Sequence, residues 1–389
     1  MDAGHVLPGI AAIQDEMIAL RHSIHEHPEL GFEEFATSER VAQCLTQWGF
    51  QVSTGVGKTG VVGTLKNGEG RSIGLRADMD ALPIQETSGL PYASQIDGVM
   101  HACGHDGHTA TLLTAARHLA HTRTFNGTLQ VIFQPAEEGL GGARKMLEEG
   151  LLERFPCDAI FAMHNVPGYP AGHLGFYSGP FMASADTVTI TILGNGGHGA
   201  VPHKAVDPVV VCSSIVMALQ SIVSRNVNPQ EMAIITVGSL HAGSASNVIP
   251  SSAQMSLSVR ALTPEIRHLL EVRITELVQG QAASFGARAE IDYQHCHPVL
   301  INHPEQTAFA REVALDWLGE EQLIDDLRPF TASEDFAFIL EQCAGSYLVI
   351  GNGEGERGCQ LHNPGYDFND ACLPIGASYW VKLVESFLS

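Results

Sequence analysis

Three histidines, a cysteine and an aspartate fall within Met100-His101-Ala102-Cys103-Gly104-His105-Asp106-Gly107-His108. Packing alone seldom collects so many donor groups, and a thiolate beside imidazoles is a ligand set that zinc and related ions favour. A helix expected from about Gly107 to Ala120 follows, and its N-terminal dipole would help keep Cys103 deprotonated. A second concentration is Phe133-Gln134-Pro135-Ala136-Glu137-Glu138-Gly139. Adjacent carboxylates repel unless something neutralises them. One carboxylate on a cation and its neighbour taking a proton from water is a chemically useful solution. Asp78 and Asp80 close the apolar stretch Leu75-Arg76-Ala77-Asp78-Met79-Asp80; alone, such acids are usually turn formers or caps. His164 in Ala162-Met163-His164-Asn165 and His362 in Gln360-Leu361-His362-Asn363-Pro364 would each be structural if met singly.

The elements that must position these groups can be read from periodicity. Apolar residues at helical spacing mark a helical region from about 11 to 48, broken at His27-Pro28. Strands are expected at Gly60–Leu65, Ser72–Arg76 and Thr128–Gln134, in an α/β alternation with catalytic loops at strand ends. The texture changes near Ala183. Asp186–Leu193 alternates strictly, and the order that follows is β-α-β-β-α-β, a split βαβ unit. Core α/β pattern resumes after about His297. The expected organisation is a catalytic α/β domain in two parts, 1–183 and 297–389, with a smaller α+β domain, 184–296, inserted between them.

Three glycine-rich stretches imitate nucleotide sites and are discounted. Gly57-Lys58-Thr59 precedes a strand where a phosphate loop needs a helix. Gly194–Gly199 has G-x-G-x-x-G spacing, yet no acid follows about twenty residues on to take a ribose. Gly353–Gly358 is not followed by a helix pattern.

Composition narrows the partners. The chain of 389 residues is 44% hydrophobic and 16% charged, as a folded globular protein should be. A formal net charge of -22 argues against nucleic acid and anionic membrane, both of which need clustered cations. No signal peptide is visible in Met1-Asp2-Ala3-Gly4-His5 and no apolar run reads as a membrane span. The eight cysteines are scattered without a C-x-x-C pair, the pattern of reduced cytoplasmic thiols.

Taken in order, D-M-D-A-L-P, H-A-C-G-H-D-G-H, Q-P-A-E-E-G, M-H-N, S-E-D-F (Ser333 to Phe336) and H-N-P resemble the M20 metallopeptidases. Within that clan they resemble the amidohydrolase subfamily of hippurate hydrolases, N-acyl-L-amino acid amidohydrolases and auxin-conjugate hydrolases. The resemblance runs from His25-Glu26-His27-Pro28 to the C-terminus. It implies a zinc-peptidase-like catalytic domain, with a mixed sheet flanked by helices and a ferredoxin-like inserted domain acting as lid and dimerisation element. It further implies two divalent ions (Zn, Mn, Co or Ni) on Cys103, His105, Glu138, His164 and His362, with Glu137 as general base and Asp80 orienting a ligand. Asp78 stands where the wider clan carries a metal-binding histidine, so it inherits no ligand role. His101, Asp106 and His108 are read as structural or supporting.

In the inserted domain, His198 resembles the group that reaches a partner subunit's site and stabilises the oxyanion. Asn247 and Arg260 resemble the groups that hold the substrate's carboxylate. The implied reaction is hydrolysis of an N-acyl-L-amino acid, by a homodimer or higher homo-oligomer in the cytoplasm. A dipeptidase or carboxypeptidase of the same clan is the alternative. A binding protein without catalysis fits less well, because it has no use for Glu137 beside Glu138.

Overall fold

The computed structural model describes residues 5–354 and 359–389 and divides into two compact units. The smaller comprises Pro180–Leu300 with Pro329–Glu334; the larger holds the rest of the described chain. The smaller unit is therefore slightly longer than the 184–296 read from patterning. Segment 329–334 joins it because Ala183 N donates to Phe330 O and Ala332 O, and the Phe181 and Phe330 rings meet edge to face. Such a non-local pairing leaves no periodic signal in sequence.

The larger unit is built on a seven-stranded sheet: β1 (Gln51–Val56), β2 (Gly60–Asn67), β3 (Ser72–Asp78), β4 (Gly127–Gln134), β5 (Ala159–Val166), β6 (Leu174–Gly175) and β7 (Gly345–Gly351). The spatial order is β1-β2-β4-β3-β5-β7-β6. The four central strands, β4, β3, β5 and β7, run parallel; the edges are antiparallel. Parallel strands covered on both faces read as continuous apolar runs, and β7 and all of β3 after Ser72 are buried accordingly. Helices α1 (Gln14–His25), α2 (Phe35–Gln47), α3 (His105–Thr122) and α4 (Cys372–Phe387) belong to the same unit. α3 and α4 bring Leu112, Leu113, Leu119, Trp380 and Leu383 into one core with Leu75, Phe133 and Phe161 of the sheet. Each such side chain contributes about 1.5–3 kcal/mol by leaving water, which holds the strand ends that carry the chemistry.

The helical region expected from 11 to 48 with a break at His27-Pro28 is the pair α1 and α2, separated by residues 26–34. β1 was not anticipated: Gln51–Val56 is largely exposed at the sheet edge and lacks an apolar pattern. Gly57-Lys58-Thr59 forms the turn joining β1 to β2. Residues 1–4 and 355–358, on which the N-terminal reading and part of the Gly353–Gly358 reading rest, lie outside the described residues.

The smaller unit has the β-α-β-β-α-β order. Its sheet runs Ala233–Ala242, Ser252–Ala261, Ala185–Leu193, Arg288–His297, with every neighbour antiparallel. Helices Pro208–Asn226 and Pro264–Ser284 share its core. Pro208–Asn226 is long and apolar enough, by composition, to cross a membrane, contrary to the reading that no run approaches that length. Its apolarity is used for packing: Val211, Cys212, Ile215, Leu219 and Ile222 are buried in this core.

Candidate metal centre

The chemistry-bearing groups converge at the carboxyl ends of the parallel strands, where open α/β sheets place their sites. Asp78 ends β3, Glu137 and Glu138 follow β4, His164 lies near the end of β5, and Cys103 and His105 lead into α3. Among the donor sets of the described residues, each with ligand atoms within 4.8 Å of one another, three join the residues read as ligands and base: Cys103, His105 and His164; Cys103, Glu138 and His362; His105, Glu137 and Glu138; a further set joins Asp78, His105 and His108. All five residues read as ligands are thus brought together, and Cys103 belongs to two sets.

Local backbone explains how. Gly104 caps α3 at φ 91, and a Cβ there would lie 2.4 Å from Asn165 Oδ1. Only glycine allows Cys103 and His105 to flank so tight a turn. Ala136 (φ 53) and His362 (φ 64) are also left-handed, a sparsely populated conformation for side-chain-bearing residues that often marks functional sites. The Ala136 turn is held by Glu34, which accepts from Ala136 N at 2.8 Å and Thr59 Oγ1 at 2.5 Å. Glu34 had no sequence signal, since its partners are distant in the chain. Asp335 of the S-E-D-F segment accepts from Gln134 Nε2 (2.7 Å) and Ala143 N (2.9 Å), bracing the same turn.

Hydrogen bonds fix the imidazoles. His105 Nδ1 donates to Asp80 Oδ1 at 3.2 Å, and Asp80 Oδ2 accepts from Glu138 N at 2.9 Å. His105 Nε2 is left buried without a hydrogen bond. His164 Nδ1 donates to Asn165 O at 2.7 Å, so its Nε2 carries a lone pair, 3.4 Å from Cys103 Sγ. Burial and neighbouring His108 hold His164 well below the ordinary histidine range, in the neutral form a ligand needs. Glu138 Oε1 lies 3.2 Å from His362 Nε2. Hydrogen bonds to Cys103 and Glu138 push half-buried His362 up to about 10, so this corner draws positive charge.

One expectation is corrected. Burial pushes the Cys103 thiol up, against the lowering expected from the helix end. A divalent cation bound here would supply what the dipole does not, and a thiol, three imidazoles and a carboxylate are donors that suit it. Asp80, read as an orienting group, contacts His105 Nδ1. Asn in its place is expected to lower metal affinity about 10–100-fold, read by competition with a chromogenic chelator; wild-type affinity would remove the role.

Asp78 lies 3.8 Å from His105 Nε2 and is held by Arg76 Nη1 at 2.7 Å and His108 Nδ1 at 2.6 Å. His101 is fully buried and pushed down to about 4 by that burial. Asp106 accepts from Arg21 at 3.2 Å and His25 at 2.9 Å, tying α1 under the site. Burial opposes a charged His25, yet Asp106 and a Glu86 hydrogen bond raise it to about 9. Because that lies above the unfolded value, the stabilisation is full below about pH 6.5 and fades as pH rises through about 9. Unfolding in urea across pH 6–10 should show a fall, on the order of 3 kcal/mol or less, that His25→Phe lacks; parallel curves would contradict it.

In the smaller unit, His198 pairs with Val248, next to Asn247. Ala200 N donates to His198 Nδ1 at 3.1 Å, so Nε2 carries the proton and is a donor. Both residues line an open concavity of about 740 Å³. Arg260 is not brought to them. It lies eight residues beyond Ser252 of that rim, about 26 Å along one strand, where Nη1 donates to Thr331 O at 3.4 Å.

With this geometry in place, the comparisons identify the class. A sequence model of peptidase family M20/M25/M40 matches residues 74–386, and the chain belongs to that family. It is 47% identical to a hippurate hydrolase of Campylobacter jejuni, over 99% of this chain and all of that one. It is 39% identical to an N-acetyl-L-cysteine deacetylase of Bacillus subtilis, over 96% of this chain and 88% of the relative. A dinuclear metal-binding peptidase of family M20 from Bacillus subtilis superposes with TM-score 0.84 at 33% identity, covering 97% of this chain and 99% of its own. The protein is a metal-dependent hydrolase acting on amide bonds.

Proposed function

We propose that the protein cleaves N-acyl-L-amino acids, hippurate-like or N-acetylated, to a carboxylic acid and a free amino acid. The observation that carries this is Cys103, shared by two donor sets beside buried Glu137. The similarity to a hippurate hydrolase and an N-acetyl-L-cysteine deacetylase supports the substrate class.

Cys103, His105 and His164 would hold one divalent ion, and Cys103, Glu138 and His362 the other, as Zn, Mn, Co or Ni. Bound there, such ions supply Lewis-acid polarisation of the acyl carbonyl and acidify water. Glu137 accepts the proton of the attacking water and delivers it to the leaving nitrogen. Asp80 keeps His105 aimed. His198 donates Nε2–H to the developing oxyanion, and Asn247 and Arg260 hold the substrate carboxylate. The separation of Arg260 from His198 and Asn247 within one chain supports a homodimer, in which one subunit's smaller unit provides Arg260 and its partner's the other two. The smaller unit is thus lid and dimerisation element, and the enzyme works in the cytoplasm.

The test is a hydrolysis panel on chelator-stripped protein reloaded with each metal. N-benzoyl- and N-acetyl-amino acids should be cleaved, and their C-terminally amidated counterparts poorly. Preference for simple dipeptides would favour a dipeptidase; no turnover with any metal would overturn the proposal.

A further inference from the structure

His108 is buried, shares a donor set with Asp78 and His105 but none with Cys103, and is engaged through both ring nitrogens. Nδ1 lies 2.6 Å from Asp78 Oδ1, and Nε2 lies 3.1 Å from Asn165 N and 2.5 Å from Asn165 Oδ1. Asp78 is in turn anchored by Arg76 Nη1 at 2.7 Å, and Arg76 Nε donates to Gln134 Oε1 at 2.9 Å. The Asn165 side-chain amide thus spans two buried groups, with Oδ1 against His108 Nε2 and Nδ2 donating to the Tyr366 hydroxyl. Asn165 is fully buried, and its carbonyl is the acceptor that sets the tautomer of His164. The same amide and the Tyr366 hydroxyl press against Gly104, between Cys103 and His105.

A backbone carbonyl can orient an imidazole only as well as its own peptide is held. Here residue Asn165, through its backbone N–H and its side chain, is gripped by a buried chain running Arg76, Asp78, His108, Asn165, and that chain leads to the first donor set, not to Glu138 and His362. We propose that His108 is a positioning residue for His164, fixing through Asn165 the tautomer and direction of that ligand and hence the affinity of one of the two cations. The inference rests on reading His164 as a ligand. It also gives Asp78 a use: it presents a carboxylate to His108.

The test uses chelator-stripped full-length protein titrated with cobalt(II) alone, followed by calorimetry and the d–d absorption band. His108→Leu, which removes both ring contacts at similar volume, should weaken one cation about 10–100-fold, alter its cobalt spectrum and spare the other. His108→Gln, which restores a hydrogen-bonding side chain against Asn165, should recover part of both signals. Tyr366→Phe, which deletes only the hydroxyl against Asn165, should shift the same band more weakly, and it decides the matter if His108→Leu does not fold. Wild-type affinities and spectra in folded His108→Leu, or in Tyr366→Phe where that variant decides, would overturn the proposal. Wild-type protein that binds fewer than two cobalt ions is a separate result: it removes the metal-site reading and this inference with it.

Discussion

Replacing Glu137 with Gln is expected to lower kcat for an N-acyl amino acid by about 10²–10⁴-fold while both metal ions stay bound. Glu137 is only 8% exposed and follows the left-handed Ala136 turn, which Glu34 and Asp335 brace from two sides. Glutamine matches glutamate in size and keeps a carbonyl oxygen, so the turn and the neighbouring Glu138 are preserved. What it loses is the capacity to take a proton from water and return it to the leaving nitrogen. Metal content by mass spectrometry, measured on the same samples as kcat, separates the two effects. A variant with both ions and near-normal kcat would remove the general-base role.

The second large effect is expected at Cys103. Because its Sγ belongs to two donor sets, Cys103→Ala should weaken both cations together, by more than the roughly 100-fold upper range of an orienting residue. His362→Ala should affect mainly one, since His362 joins only the set with Cys103 and Glu138. Burial already pushes the Cys103 thiol up, so a thiolate there would depend on a bound cation, and the dependence would be mutual. Cys296→Ala, on the opposite unit and outside every donor set, is the control. Loss of a single cation in Cys103→Ala would contradict its shared position.

Much of the site was legible because its chemistry is dense in sequence. His105 with Cys103, and Glu137 with Glu138, announce themselves by proximity, and His164 and His362 follow once the set is assembled. The α/β frame and the split βαβ unit were legible for a related reason, since buried parallel strands and one-faced antiparallel strands leave different periodicities. What holds the site was not legible. Glu34 meets Ala136 across 102 residues and Arg76 meets Asp335 across 259, and neither pairing has a local signature. The electrostatics of Cys103 were misjudged because the helix end is near in sequence, whereas the burial that outweighs it is a property of the folded core. Arg260 was grouped with Asn247 by resemblance, and only the strand's length shows them to be far apart in one chain.

The most direct test of the account is a metal titration of the chelator-stripped protein with hydrolysis of an N-acyl amino acid followed in parallel. Activity should be absent at zero metal, and binding should saturate at two ions per chain with activity restored. Full activity in the stripped protein, or saturation at one ion with full activity, would contradict the two-cation centre.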